Sequence, residues 1–244
     1  MTLIYDKRLI KEWIDEVVPE PEGDEVFIAI LCARKKYSPA ISRSEEMLDK
    51  VILKGDKSAI YRRLCKFLRV EEGDYIDFNS KKSIPLDAMV VYFDLYPKST
   101  LKAISPWFKT INQWLYDAIN NPEFNRATFR KIDTKLFSAI AKSNSRKPVR
   151  VVDIDNKDKI YDVLPLVPEP EWITETRGGW HLIYQVTDKN RLKELGKIYH
   201  ELVSKEFKGV IEIQWHQAQT VIPGTMQGGF KVTGFSAKKE GDRL

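Results

Sequence analysis

Apolar residues in the first part of the chain recur at two spacings, one typical of strands and one of helices. The unbroken runs VFIAILCA (26–33) and MVVYFDL (89–95) have the length and composition of buried strands. Elsewhere apolar side chains return every three or four residues, with a break expected near Pro106. This spacing predicts helices over residues 6–17, 99–119 and 124–143, and one capped by Asp56 or Ser58 that ends at Leu68.

The pattern changes after the segment SNSRKP (143–148), the best candidate for a domain boundary. Short strand-like runs then dominate, with one amphipathic helix over residues 188–207. The order β-β-β-α-β-β predicts an α+β fold whose palm is an RRM-like, antiparallel-rich sheet with a helix behind it. We therefore expect a smaller α/β module over residues 1–145 and a palm over 146–244, packed as one core. The predicted strands cover residues 149–155, 171–176, 180–186, 209–215 and 219–224.

Composition narrows the class of protein. Of the 244 residues, 43% are hydrophobic and 31% charged, as in globular domains, and no apolar run approaches the ~20 residues that span a bilayer. The first residues carry charges where a secretory signal needs an apolar stretch. Cys32 and Cys65 show no C-x-x-C spacing, which argues against a disulfide framework and a structural zinc site. We expect a cytoplasmic protein without a membrane partner.

The charge is unevenly distributed. Residues 1–150 hold 27 basic and 21 acidic side chains, whereas residues 151–244 hold 13 and 14. Basic stretches beside a nearly neutral block indicate a polyanion-facing surface next to a site with its own carboxylates. The alternative is that these side chains only cover solvated helix faces. The candidate nucleic-acid-binding residues are Arg34, Lys35, Lys36, Arg62, Arg63, Arg146 and Lys147.

Two carboxylates two positions apart are the first candidate site. Asp153 and Asp155 follow the apolar start of a predicted strand, and the alternation of side chains along a strand places both on one face. Carboxylate oxygens that converge in this way suit hard divalent cations such as Mg²⁺ or Mn²⁺. A turn at the strand end, in which Asp155 and Asn156 cap the loop, is the alternative.

Three further features lie on the later strands. The turn TRGGWH (176–181) offers two glycines that allow close backbone approach to a phosphate, together with Arg177 and His181. Glu212 is an acid within the apolar run VIEI, and the segment TVIPGT (220–225) ends a strand in a tight turn. Each feature alone is commonly structural.

Taken in order, these motifs resemble the archaeo-eukaryotic primase superfamily. Its first motif is a hydrophobic-D-h-D pair, its second S/G-x-H and its third a strand-borne acid, which correspond here to DID, GWH and Glu212. IPGTMQGGFKVTG looks like its Pro-Gly-Ser turn. The resemblance covers about residues 145–235, with Thr176 where Ser is common and Glu in place of the usual Asp. The earlier part resembles only loosely the N-terminal module of small primase-polymerases, with the CRISPR-associated branch nearest.

The resemblance implies a template-directed nucleotidyltransferase, a DNA primase-polymerase that makes or extends primers in DNA replication by two-metal-ion catalysis. Its implied partners are a single-stranded DNA template, nucleoside triphosphates and other domains or proteins of a replication, plasmid or CRISPR system. The implied cofactor is Mg²⁺ or Mn²⁺, with no zinc. The implied residues are Asp153, Asp155 and Glu212 as catalytic metal ligands, and Arg177, Gly179, His181, Gly224, Thr225 and Lys231 for the nucleotide.

Two other classes of function remain open. A metal-dependent phosphodiesterase or nuclease could use the same three acids, and a non-catalytic RRM-like module could bind nucleic acid without turnover. Nucleotide-dependent growth of a product separates the polymerase from both, and shortening of the substrate indicates the nuclease. The chain has no G-x-x-x-x-G-K-[ST] motif, so ATP-driven helicase work would need another domain.

Overall fold

The computed structural model describes residues 2–186, 188–205, 207–214 and 218–237. This part of the chain forms a mixed α+β fold with antiparallel sheets and six α-helices. The helices are α1 (Lys7–Val17), α2 (Lys57–Phe67), α3 (Thr100–Asn120), α4 (Ile132–Lys142), α5 (Ile160–Val163) and α6 (Lys189–Lys205). The strands are β1 (Glu25–Arg34), β2 (Glu45–Leu53), β3 (Met89–Ser99), β4 (Val149–Ile154), β5 (Trp172–Glu175), β6 (Trp180–Gln185), β7 (Ile211–Ile213), β8 (Gln219–Val221), β9 (Met226–Gln227), β10 (Phe230–Lys231) and β11 (Thr233–Phe235).

Two larger sheets organise the molecule. The first has the order β2-β1-β3-β8 and the second β11-β5-β6-β4-β7, and every neighbouring pair in both is antiparallel. Strands β9 and β10 form a separate hairpin. None of the helices in the described part of the chain is long and apolar enough to cross a membrane.

Local sequence accounts for the helix at the start of the chain. Asp6 caps α1, since its carboxylate accepts the backbone N–H groups of Arg8 at 2.9 Å and Leu9 at 3.0 Å. Trp13 on the apolar face is fully buried, and its ring meets Phe93 edge to face at 5.2 Å between centroids. The helix is thereby fixed onto the first sheet.

Most predicted elements are confirmed, with local differences in the helices. Asp56 is the cap of α2. The predicted break near Pro106 is wrong, because α3 runs through this proline without interruption. The helix predicted over 124–143 is shorter, since residues 126–131 form a 3₁₀ turn before α4. The ends of the predictions at 188–207 and 209–215 fall partly on residues 206 and 215, outside the described residues.

Two strands differ from the sequence-based expectation. Strand β2 was not predicted, because it is a solvent-lined edge strand in which charged residues interrupt the apolar ones. Strand β8 was expected in the palm sheet, but it pairs with β3 in the first sheet. The reason is hydrophobic: Val221 packs against Cys32 and Val90 of that sheet, and Ile222 enters the largest apolar cluster.

The two predicted modules share buried contacts. The largest apolar cluster joins residues of the first sheet and α1 to Val149, Val151, Trp172 and Ile183 of the second sheet. A second cluster lies under the other face of the second sheet, where α6 contributes Leu195 and Tyr199. The boundary between residues 145 and 146 stays a prediction, but the segments on either side of it pack against one core.

Candidate functional site

A row of polar side chains crosses the centre of the second sheet. In the strand register, Asp153 on β4 lies opposite His181 on β6 and also opposite Glu212 on β7. Directly opposed residues in an antiparallel sheet share a face, with Cα atoms ~4.5–5.5 Å apart. Asp155 follows β4 by one residue, where its backbone N–H donates to the Val210 carbonyl at 2.8 Å. The carboxylates of Asp153, Asp155 and Glu212, here called the acid row, therefore lie side by side across the sheet, together with the imidazole of His181.

This row faces a polar pocket between the two sheets. The pocket has a volume of about 330 Å³. The second sheet supplies the acids and His181, whereas the first sheet supplies Arg34 and Tyr92. Two of the predicted basic residues thus lie beside the predicted acids. The lining residues are Arg34, Lys36, Glu45, Tyr92, Asp153, Asp155, Thr176, Gly178, His181, Glu212, Gln214, Gln219, Val221 and Gln227.

Asp153 is the most perturbed acid of the row. Burial raises the pKa of its carboxyl to about 7, and the neighbouring carboxylates of Asp155 and Glu212 act in the same direction, while Lys36 opposes them. Three carboxylates therefore share this part of the pocket with Lys36, so negative charge is in excess. Carboxylate oxygens are the donor type that Mg²⁺ and Mn²⁺ prefer.

The shift of Asp153 predicts a pH-dependent stability. Between its ordinary pKa of 3.8 and its folded value of about 7, the unfolded chain binds fewer protons at this group, so stability falls as pH rises. The full shift is worth ~4 kcal/mol, and solvent screening reduces it to about 2 kcal/mol for a side chain that is 25% exposed. Urea unfolding of wild type and Asp153→Asn at pH 5 and pH 8 measures this pH dependence of the free energy of unfolding. Asp153→Asn should gain about 2 kcal/mol relative to wild type at the higher pH, and parallel pH profiles would contradict the shift.

His181 is a neutral residue tied to the first sheet. Burial lowers the pKa of its imidazole to about 4. Its Nδ1 lies 2.8 Å from the Thr220 hydroxyl, which donates to the Val221 carbonyl at 3.2 Å, so Nδ1 carries the proton and donates to Thr220. The other nitrogen, Nε2, lies 3.5 Å from an Asp153 oxygen. His181 is thus neutral in the free protein at pH 7, and the phosphate contact that the family resemblance implies for it stays a prediction.

The glycine turn before His181 is closed by its own backbone and one hydroxyl. The Thr176 N–H donates to the Gly179 carbonyl at 2.9 Å, and the Gly179 N–H donates to the Thr176 hydroxyl at 3.0 Å. Threonine at the position where the family commonly has serine supplies the same hydroxyl group. The turn is therefore held in one shape beside the pocket.

Arg177 fastens this turn to the β9–β10 hairpin. Its backbone N–H donates to the Gln227 side chain at 2.7 Å, and its guanidinium donates to the Gly228 carbonyl. The guanidinium also lies over the Tyr37 ring, 4.9 Å from its centroid. Arg177 is not among the residues that line the pocket, and its phosphate contact stays a prediction.

The cations that line the pocket are Arg34 at the end of β1 and Lys36 in the loop that follows. Arg34 pairs with Glu45 at 3.1 Å and donates to the Tyr92 hydroxyl at 2.7 Å. Lys36 is the freer cation, although burial and the adjacent Arg34 guanidinium lower the pKa of its ammonium group against the pull of Asp155 and Asp153. A phosphate that entered the pocket would meet the ammonium group of Lys36.

Three predicted nucleotide-binding residues lie away from the pocket. Gly224 has φ +89°, and its carbonyl accepts the backbone N–H groups of Tyr5 and Asp6. The buried Thr225 hydroxyl donates to the Ile222 carbonyl at 2.7 Å, and Lys231 lies over the Tyr5 ring. These residues hold the amino-terminal segment, and the structure does not bring them to the acids.

The remaining basic candidates lie outside the pocket. Lys35 and Lys147 are exposed, as are Arg62 and Arg63 on α2, and none of these lines the pocket. Arg146 instead forms ion pairs with Glu25 at 3.0 Å and Glu22 at 3.1 Å. The positive charge of Arg146 is therefore neutralised by carboxylates of the protein itself.

Arg146 is therefore expected to support stability and not DNA binding. In Arg146→Ala the Glu25 carboxylate, only 3% exposed, would lose its cation, which should lower the free energy of unfolding by about 2 kcal/mol. Affinity for single-stranded DNA, measured by fluorescence anisotropy, should stay unchanged, whereas Lys36→Ala should weaken it. The matched control for stability is Arg62→Ala, because Arg62 is an arginine that lies exposed on α2. A normal unfolding curve with weakened DNA binding in Arg146→Ala would contradict this assignment.

Several pocket residues escaped sequence reasoning. Tyr92, Glu45 and the glutamines 214, 219 and 227 line it, and Thr220 orients His181 from behind. Glu45 lies on the strand that was not predicted, and Thr220 on the strand that was placed in the other sheet. For Tyr92 the available signal was a hydroxyl-bearing side chain within the apolar run MVVYFDL.

As the side chains stand in the described part of the chain, no three His, Cys, Asp or Glu residues are close enough together to hold one metal ion. The pocket gathers Asp153, Asp155 and Glu212, but a shared ion would require side-chain movement.

Comparison of the chain with protein-family models, curated proteins and solved structures finds no match.

Proposed function

We propose that this chain is a template-directed nucleotidyltransferase, a DNA primase-polymerase that extends or synthesises primers on single-stranded nucleic acid. One observation carries the proposal: Asp153 lies in register with Glu212 and His181, with Asp155 two residues on, in a pocket that also contains Lys36. Acids from adjacent strands beside a phosphate-binding cation are what nucleotidyl transfer requires.

The topology of the second sheet supports an RRM-like palm. Four strands follow the order β5-β6-β4-β7, with the short α5 between β4 and β5 and the longer α6 between β6 and β7. This is the β-α-β-β-α-β arrangement, in which the first strand is central and its neighbours come from later in the chain. Its consequence is functional, because the central strand carries DID between the strands that carry His181 and Glu212.

The residues take distinct roles in this proposal. Asp153, Asp155 and Glu212 would hold Mg²⁺ or Mn²⁺, which when bound lowers the pKa of the attacking hydroxyl and neutralises charge on the leaving pyrophosphate. Lys36 faces the same pocket and is placed to pair with a phosphate of the incoming nucleotide. Thr220 holds the His181 ring so that Nε2 points along the acid row. The Arg34–Glu45 pair and Tyr92 form the opposite wall.

A neighbouring cavity is our candidate path for the nucleic-acid strand. It also measures about 330 Å³ and shares two lining residues, Tyr92 and Gln219, with the site pocket. The other lining residues are Ile28, Ile30, Asp94, Lys98, Ala141, Lys142 and Asn144. Apolar surface, amides and a cation together suit bases and backbone phosphates. We place single-stranded DNA here, nucleoside triphosphates at the acids, and the protein in the cytoplasm with partners from a replication, plasmid or CRISPR system.

Primer extension tests this function. A fluorescent primer on a single-stranded template, and the template alone, are incubated with deoxyribonucleotides or ribonucleotides and Mg²⁺ or Mn²⁺. Products that lengthen only when nucleotides and metal are both present support the proposal. Shortening of the labelled strand would indicate a phosphodiesterase or nuclease, and binding without any change in length would indicate a non-catalytic module. Either result would overturn it.

A further inference from the structure

One face of α3 exposes large apolar side chains to solvent. Six of them are between 46% and 79% exposed, an unusual density for one helix. The opposite face of α3 carries the buried Ala103 and packs against α4. The exposed face is therefore not needed to attach the helix. The six residues, here called the α3 stripe, are Leu101, Ile104, Phe108, Leu115, Tyr116 and Ile119.

The spacing of the α3 stripe is that of a helix–helix seam. Leu101, Phe108 and Leu115 are separated by seven residues, and Ile104 falls at the intermediate heptad position. Four of the six residues are also symmetric about position 110, since Leu101 mirrors Ile119 and Ile104 mirrors Tyr116, whereas the mirror positions of Phe108 and Leu115 are polar. A surface of this kind is complementary to itself when two copies run antiparallel, as a twofold axis requires.

The exposed area is sufficient for a stable pair. The α3 stripe presents on the order of 700 Å² per chain, close to the ~800 Å² per partner that a standard interface buries. Patches of this size on soluble proteins mark interaction sites. None of the six side chains is charged, so no carboxylate or ammonium of the stripe itself would be buried by a second copy.

We propose that the α3 stripe is the interface between two copies of this chain, packed antiparallel across a twofold axis near residue 110. Leu101 of one copy then lies against Ile119 of the other, and the two Phe108 rings approach the axis. The interface lies on the helix and not at the acid row, so this inference is independent of the proposed catalytic function.

Molecular mass in solution tests the dimer. Light scattering coupled to size exclusion at micromolar concentration should give twice the 28.4 kDa of one chain. Phe108→Glu should raise the dimer Kd at least ~30-fold, as expected for a central interface residue. Its matched control is Phe78→Glu, an equally exposed aromatic outside the stripe, which should leave the dimer intact. A monomer at every concentration, or a dimer that Phe108→Glu does not weaken, would overturn the proposal and indicate another domain or protein as the occupant.

Cysteine cross-linking tests the antiparallel register. Mixing Leu101→Cys with Ile119→Cys under mild oxidation should give a disulfide-linked pair, because these positions face each other. Neither variant alone should cross-link to itself, since its two copies lie at opposite ends of the interface. Self-linkage of Ile119→Cys would indicate parallel helices and contradict the arrangement. Wild type, which retains Cys32 and Cys65, gives the background.

Discussion

Replacement of both Asp153 and Asp155 by alanine is expected to lower the rate of nucleotide incorporation by at least ~10³-fold, because metal-borne charge stabilisation is worth several kcal/mol. The two residues end β4 at the centre of the acid row, so their loss leaves Glu212 as the remaining predicted metal ligand. The fold should survive, since Asp153 is already strained by its neighbours' charge and Asp155 is exposed. Single-turnover extension of a labelled primer measures the loss.

Asp158→Ala is the matched control for this experiment. Asp158 is an exposed carboxylate three residues beyond Asp155, and it does not line the pocket. This variant removes one carboxylate from the loop that holds Asp155, so a general electrostatic effect on template binding would appear in it as well. Wild-type rates in the double variant, with a normal circular dichroism spectrum, would contradict the role of the acid row.

Gly179→Ala is expected to destabilise the protein by at least about 3 kcal/mol, because the added methyl group would clash with backbone atoms, which cannot move aside as a flexible side chain can. A Cβ at this position would lie 1.8 Å from the Ile154 carbonyl oxygen and 2.8 Å from its carbon. The turn would have to move away from the end of β4. Since His181 follows two residues later, its alignment with Asp153 should be lost as well. Urea unfolding and primer extension measure the two consequences.

The neighbouring glycine provides the control. A Cβ at Gly178 would meet no atom within 4 Å, so Gly178→Ala should change the free energy of unfolding by less than ~0.5 kcal/mol. The two substitutions add the same methyl group to adjacent positions of one turn. Equal stability of the two variants would show that the close approach of Gly179 to Ile154 is not maintained in solution.

The sequence predicted those features that depend only on residues close together in the chain. The apolar run before Asp153 identifies β4, and the two-residue spacing places both aspartates on one side of it. The alignment of Asp153 with Glu212 is different, because it depends on the register between strands almost 60 residues apart. A slip of two residues would keep Glu212 on the same face but move it away from Asp153, and nothing in either strand's own pattern excludes that slip.

The local sequence pattern also does not show which of the two sheets β8 joins. The three residues of β8 show only that they form a strand, and their pairing with β3 depends on which apolar surface is left uncovered. The placement of Thr220 behind His181 follows from this pairing. Runs of basic residues carried even less information, because Arg146 and Lys36 both lie in basic stretches and the sequence does not distinguish them. Only the structure shows that Arg146 is paired with Glu25 and that Lys36 faces the acids.

Manganese binding tests the central claim, that the row of Asp153, Asp155 and Glu212 is a divalent-cation site for nucleotidyl transfer. Electron paramagnetic resonance counts bound Mn²⁺ in the presence of a non-hydrolysable nucleoside triphosphate. Wild type should bind about two ions per chain, and Asp153→Asn/Asp155→Asn should lose them. Equal Mn²⁺ binding by the two proteins, with the triphosphate bound to both, would contradict the claim.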